Sequence, residues 1–350
     1  MNQKLFFSLI IVATALSAFF HYFTQSAILQ FISTSIAIIF LAALLGKATE
    51  NVAHYAGERI GGFLNATFGN AAELIIAIFL IKEGLFDMVK ASITGSIIGN
   101  LLLVLGLSVF AGGLKFKVQK FNSFLAGHNS SLMFLAIIAL FIPAIFMTSI
   151  EEKSHINTLS LVISGLLILA YFLWLIFSMI THKEELSDVA AIHEEEAKVW
   201  SKSFSIAMLV IATIFVAFSS EWLVHSIEEV AHRLGWSEIF VGAFVIAIVG
   251  NAAEHSAAIL MAMKNKIGAS VEIAVGSSLQ IALFVAPALV FISLLFGNPM
   301  DLVFTSYELA AIGVATFIAS SISKDGNTNW YEGVLLMVVY IILGAAFYFI

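Results

Sequence analysis

The chain has 350 residues, of which 61% are hydrophobic and only 11% charged; its formal net charge is −7 and its mean hydropathy +1.03. Soluble domains carry about 25% charged residues, so this surface could not be wetted as a globule. Water-soluble enzymes, nucleic-acid binders and disordered chains are thereby excluded, leaving an all-α integral membrane protein whose environment is lipid.

A hydrocarbon core about 30 Å thick needs roughly 20 apolar residues per helix. Apolar runs between polar breaks predict eleven spans: 5–20, 27–46, 61–81, 88–111, 131–149, 158–180, 204–224, 237–263, 268–296, 303–322 and 331–350. The first is short and follows Lys4, but no small-x-small site leads into a hydrophilic start, so a retained leading helix (1–26) is expected rather than a signal peptide. Between the sixth and seventh spans lies the longest polar stretch, 181–203, with six acidic residues against three lysines. Two readings stand for it: a solvated linker, or a cytoplasmic acidic helix that collects or senses cations weakly. With the N-terminus cytoplasmic, twelve basic residues fall on the inner side and four (Lys82, Lys90, Lys153 and Arg233) outside, so the C-terminus is expected outside. The absence of cysteine removes disulfides and thiolate metal sites; with short loops it points to a prokaryotic plasma membrane, a vacuolar one remaining open.

GNAAE occurs twice, at Gly69–Glu73 and Gly250–Glu254, 181 residues apart; at that offset 13 of the 42 positions from Gly69 to Phe110 are identical, including a second pair, Gly95–Ser96 and Gly276–Ser277. The spans therefore divide into a leading helix, a first five-helix repeat (27–180), the linker, and a second five-helix repeat (204–350). An odd number of spans per repeat inverts the second relative to the first, an arrangement secondary transporters use around a midplane site.

Carboxylates inside a membrane are costly and mark function by default. Glu73 and Glu254 lie within apolar segments without a lysine or arginine a helical turn away. Asn70 and Asn251 share their helix faces at i−3. Ser96 with Asn100, and Ser277 with Gln280, form like pairs in the following helices, and Gly69 and Gly250 let the helix open and present carbonyl oxygens. Such a hard-oxygen set suits calcium, with magnesium or manganese less well matched; zinc and copper would favour histidine or cysteine, and only His255 is adjacent. Ligation requires a deprotonated carboxylate, so cation and proton compete for the same oxygens. Alternating exposure of that site would give antiport with no covalent step, hence no enzyme and no cofactor, calcium being cargo.

The segments GNAAELIIAIFLIKEGLFDMVKASITGSIIGN and GNAAEHSAAILMAMKNKIGASVEIAVGSSLQI resemble the two alpha-repeats of the calcium/proton exchangers, the cation/proton exchanger family of the calcium:cation antiporter superfamily. The resemblance covers nearly the whole chain. It implies that Glu73 and Glu254 carry calcium and protons, that Asn70, Asn251, Ser96, Asn100, Ser277 and Gln280 line the site, and that His255 joins proton transfer. It places Glu50 and Glu221 near gating helices, where helix-end charge is an equal reading, and allows a homotrimer. Sodium/calcium exchange is the near alternative, though the Ser, Thr and Asp oxygens expected for several sodium ions are replaced here by asparagine and alanine. An intramembrane hydrolase finds no HExxH and no paired-aspartate signature. A channel would need no opposing proton gradient.

Overall fold

Why this chain folds into long helices follows from its solvent: within lipid every backbone amide must be paired inside its own segment. The computed structural model describes residues 3–56, 61, 64–65, 67–147, 152–182 and 200–350. In chain order its helices are α1 Gln3–Phe23, α2 Ala27–Ala56, α3 Ala71–Lys82, α4 Phe86–Phe116, α5 Ser123–Phe146, α6 Ser154–Thr181, α7 Lys202–Leu234, α8 Glu238–Met263, α9 Ile267–Leu295, α10 Ser306–Ile322 and α11 Trp330–Tyr348. All but α3 are long and apolar enough to cross a membrane by themselves. The span expected at 61–81 is continuous only from Ala71, because Gly69 and Asn70 form a turn; residues 57–60, 62–63 and 66 lie outside the described residues. The chain is an all-α membrane protein, as its composition requires. The expected acidic linker falls mostly outside the description, at residues 183–199.

Helix ends are set by local chemistry. The Asn122 side chain accepts from the backbone N–H groups of Phe124 and Leu125 and starts α5. Thr305 with Glu308, and Asn329 with Glu332, form reciprocal capping boxes that start α10 and α11. Gly235 takes a left-handed φ of 68° beyond α7, a conformation that costs a residue without Cβ little. A short ribbon has no signature in the apolar pattern: β1 Val118–Lys120 pairs antiparallel with β2 Asn327–Asn329, tying the end of α4 to the start of α11.

The long helices α2 and α7 pack against each other, and α1 lies against α2. At the end of α2, the Asn51 Oδ1 accepts from the Trp200 N–H at 2.8 Å and Tyr55 Oη donates to the Trp200 carbonyl at 2.7 Å. The Lys47 ammonium lies 5.4 Å from that indole. The residue that follows the acidic stretch is thus held against the first long helix. In the centre, α4 and α9 are each interrupted by a π-helical turn, Gly99–Val104 and Ile281–Val285, close to one repeat offset apart. Such turns mark functional positions because they re-aim the side chains beside them. Asn100 lies within the first and Gln280 immediately before the second.

α4 and α11 approach closely at a glycine pair. A Cβ at Gly333 would lie 2.6 Å from the Gly106 carbonyl oxygen and would also overlap the Phe110 amide nitrogen; one at Gly106 would lie 3.0 Å from the Gly333 carbonyl. Small residues permit this backbone approach, which substitutes for a hydrophobic drive that lipid does not provide.

Candidate cation and proton site

The repeated motifs cross at the centre of the molecule. Glu73 stands in the first turn of α3, 3% exposed, and a Cβ at Gly250 would lie 3.6 Å from the Glu73 Cβ. Reciprocally, a Cβ at Gly69 would lie 3.3 Å from Glu254 Oε1 and 3.7 Å from Gln280 Oε1. Each glutamate therefore packs on the glycine of the other motif, which brings two residues 181 positions apart in sequence to one place.

Hydrogen bonds then lace the two halves together. Asn251 Nδ2 donates to Ser96 Oγ at 2.9 Å, and Ser96 donates to Glu73 Oε1. Asn100 Nδ2 donates to Ser277 Oγ at 3.2 Å, and Ser277 donates to Asn70 Oδ1 at 3.0 Å. Each serine thus takes part in a hydrogen bond between the halves: Ser96 with Asn251, and Ser277 with Asn100 and Asn70. Asn251 is further oriented by its second N–H on the Ala247 carbonyl, 3.0 Å away.

Several polar atoms of this cluster are left over. Glu73 Oε2 and Glu254 Oε2 are buried without hydrogen-bond partners among the described residues, as are the amide nitrogens of Asn70 and Gln280. Unsatisfied buried polar atoms cost free energy unless a ligand or water meets them, and a pair of carboxylate oxygens is matched by a cation or by protons. Among the described residues no group of three or more His, Asp or Glu that could hold a metal ion forms; the cluster here has two carboxylates with amides and hydroxyls around them.

The two motifs are not locally alike. Gly69 and Asn70 form a turn that precedes α3, so the helix is open there and Gly69 is exposed. Gly250 and Asn251 instead lie inside the continuous second part of α8, where the irregularity is displaced to the π-helical Val241–Ile246. Glu254 is half-buried where Glu73 is sealed.

Of the other expected residues, His255 neighbours Glu254 in α8 but its Nε2 is buried with no partner, and no hydrogen bond joins it to either glutamate among the described residues. Glu50 is exposed near the end of α2. Glu221, on α7, pairs with Lys82 at the end of α3, 3.6 Å away, so it lies apart from the central cluster. The sequence reading missed Glu308: it is 2% exposed, its Oε2 accepts from the Thr305 N–H and hydroxyl at 2.8 and 2.7 Å, and Thr94 Oγ1 on α4 donates to its Oε1 at 3.4 Å. The T-x-x-E spacing of its capping box was the legible signal.

This arrangement has close counterparts. Residues 26–180 and 204–349 match the family model described as sodium/calcium exchanger protein. The chain is 48% identical over 349 residues to the Ca2+/H+ antiporter ChaA of Bacillus subtilis (strain 168), covering 99% of both proteins. It is 43% identical over 372 residues to the Ca2+/H+ antiporter of Aphanothece halophytica, covering 100% of this chain and 98% of that one. Among solved structures, native YfkE superposes with a TM-score of 0.86 at 45% identity over 99% of this chain and 100% of that chain. The H+/Ca2+ exchanger CAX shares the fold at a TM-score of 0.75 with 13% identity, over 99% and 93%.

Proposed function

From the premise that the chain belongs to the sodium/calcium exchanger family, we propose that it is a secondary antiporter that exchanges Ca2+ for H+ across a membrane by alternating access, Glu73 and Glu254 binding the two ions competitively. Relatives at 48% and 43% identity over almost their whole length bear the name Ca2+/H+ antiporter, so a transporter is the coarse reading they support. The observation that carries the finer one is the reciprocal crossing of the motifs, with an unpartnered carboxylate oxygen from each repeat in one buried cluster.

The chemistry follows from the ligand set. Calcium takes six to eight oxygens in flexible geometry, and here carboxylates, Asn, Gln and Ser side chains and the open backbone at Gly69 supply them. With the cation gone, two neighbouring carboxylates repel each other until returning protons neutralise them, and the neutral site can then make its passage. Ser96 and Ser277 hold the glutamate and asparagine oxygens in place for either occupant. Ca2+ and H+ are cargo, so no resident cofactor is required.

The testing experiment is calcium uptake into proteoliposomes: an imposed proton gradient is expected to drive calcium flux, and a sodium gradient of equal size is not. Sodium-driven flux indifferent to the pH gradient would move the chain to sodium/calcium exchange. Manganese and magnesium, tried as competitors, are expected to inhibit less than unlabelled calcium.

Two further expectations concern the linker. Twelve of sixteen basic residues on one side place residues 181–203 in the cytoplasm. Ser187→Cys, introduced into this cysteine-free chain, should resist an impermeant maleimide in intact cells and react in inside-out vesicles; labelling from outside refutes the orientation. If the acidic stretch tunes transport from water, neutralising Glu194, Glu195 and Glu196 together should alter apparent affinity or rate by a few-fold and leave exchange intact, because charges in water are largely screened. Loss of exchange in a folded variant contradicts a tuning role.

A further inference from the structure

One buried carboxylate, Glu308, belongs to a second polar cluster outside the central one. The segment that leads to it, between α9 and α10, is fixed at successive points. Ser293 Oγ accepts from the Met300 N–H at 2.8 Å, Ser160 Oγ from the Leu302 N–H at 3.1 Å, and Asp301 Oδ1 from the Val303 N–H at 3.1 Å. Two side chains of α4 reach this support from the other repeat. The Lys90 ammonium lies 3.3 Å from Asp301 Oδ1 and donates to the Val303 carbonyl at 3.0 Å, with Asp87 of its own helix 3.7 Å away. One turn further, the buried Thr94 donates to Glu308 Oε1 at 3.4 Å. Residues four apart share a helix face, so α4 is tied at two points along one line. Ser96, two residues beyond Thr94, stands about 200° round a helix of 3.6 residues per turn. The tied face is thus the back of α4, and the face that meets Glu73 is its front. At the 181-residue offset Lys90 and Thr94 become Val271 and Val275, side chains without a donor, so those positions of α9 cannot make the tie.

We propose that Asp301 and Glu308 are positioning residues for the cation site: through Lys90 and Thr94 they set the rotation of α4, and so aim Ser96 at Glu73 and Asn100 at Ser277. This rests on the reading of Glu73 and Glu254 as the cation site. Ser96 has two partners to meet at once, Asn251 and Glu73, and Asn100 lies in the π-helical turn that follows. A small rotation of α4 would lose one partner or the other. The close approach of Gly95 to the Ala243 carbonyl of α8 sets a distance between backbones. Hydrogen bonds are directional, so the pair at Lys90 and Thr94 sets the angle. Charge and positioning predict opposite signs at Lys90. Removing a cation from the neighbourhood of a divalent-ion site should by charge alone tighten calcium binding, whereas losing the tie that aims Ser96 should weaken it.

The test compares variants of the full chain in proteoliposomes. Thr94→Val keeps the shape of the side chain and removes its hydroxyl. It is expected to raise the apparent KM for calcium about threefold to tenfold with kcat unchanged, less than the loss of a direct partner of a metal ligand would cause. Thr94→Ser keeps the hydroxyl and should restore the KM, and Lys90→Met should raise it. Hydrogen exchange followed by mass spectrometry should quicken in the α4 peptide that contains Ser96 for Thr94→Val and Lys90→Met, and stay unchanged for Thr94→Ser. An unchanged KM in folded Thr94→Val overturns the proposal. So does a KM as high in Thr94→Ser as in Thr94→Val, or a fall in KM for Lys90→Met. If Thr94→Val does not fold, the sign of the change in Lys90→Met decides; if neither folds, the tie is structural and the proposal is overturned. Absence of proton-driven calcium flux in the unsubstituted chain would defeat the exchange reading by itself. Hydrogen exchange then decides the positioning of Ser96, and equal exchange in all four proteins would overturn it.

Discussion

Glu73→Gln and Glu254→Gln are each expected to insert and fold normally and to abolish proton-driven calcium uptake. Glutamine keeps the shape of the side chain and an oxygen acceptor but removes the charge and the titrating group. Calcium then loses one of two formal negative ligands in a site whose low polarity makes its dehydration costly to offset. Removing one partner from a buried charged pair costs about 3–5 kcal/mol, two orders of magnitude or more in occupancy. The same substitution removes a carrier of the returning proton, so both half-reactions fail together. The double variant should be no worse than either single one, because the carboxylates form one site, with Ser96 and Ser277 bridging the halves around it. Proteoliposome uptake combined with a melting curve separates this from a structural role, which would lower stability and leave residual transport in the folded fraction. Near-normal uptake by either folded single variant would sink the shared-site mechanism.

Gly333→Val is expected to destabilise the folded protein strongly, whereas Gly313→Val should be nearly silent. Any Cβ at Gly333 lands on the backbone of α4, 2.6 Å from the Gly106 carbonyl oxygen, and α11 is held there by its ribbon and its Asn329–Glu332 capping box. Overpacking a well-packed contact costs about 1–3 kcal/mol, and a β-branched side chain against backbone lies at or beyond the upper end. That is a large share of a total stability of about 5–15 kcal/mol. Gly313, in α10, has nothing within 4 Å of its ideal Cβ among the described residues, so the same change there should stay within about 0.5 kcal/mol. Size-exclusion profiles and thermal midpoints of the two variants in the same detergent decide the matter; matching midpoints would show that the α4–α11 crossing can part without cost.

The two expectations draw on different kinds of information. Glu73 and Glu254 were legible in the sequence because charge in an apolar run is rare and these two stood in one register with a second matched pair. Asn70 and Asn251 were legible at helical spacing from those carboxylates, and Ser96 with Asn100 and Ser277 with Gln280 as polar pairs at helical spacing in the apolar helices that follow. Their pairing was not. That Ser96 takes its hydrogen bond from Asn251, and that Ser277 takes one from Asn100 and gives one to Asn70, depends on how helices from opposite halves cross. Gly333 carried no signal at all, since glycine in a membrane helix is common and only a close approach by another backbone makes one indispensable. Glu308 sat among loop polar residues near the start of α10 and became notable only when its carboxylate proved buried against Thr94 of α4.

By itself, then, the sequence determined the solvent and the helical class, and it carried the duplicated motif and the candidate oxygens of the centre. Each of these follows from composition, from the length of apolar runs or from repetition along one chain, quantities that need no third dimension. Tertiary structure alone decided which motif glycine each glutamate packs on, where the π-helical turns aim Asn100 and Gln280, and why Glu221 pairs with Lys82 away from the centre. It also decided the inequality of the two halves. Gly95 and Gly276 are the same letter in the same motif, and nothing local distinguishes them. Only the packing of α4 on α8 makes Gly95 a closed contact, whereas among the described residues nothing lies within 4 Å of a Cβ at Gly276.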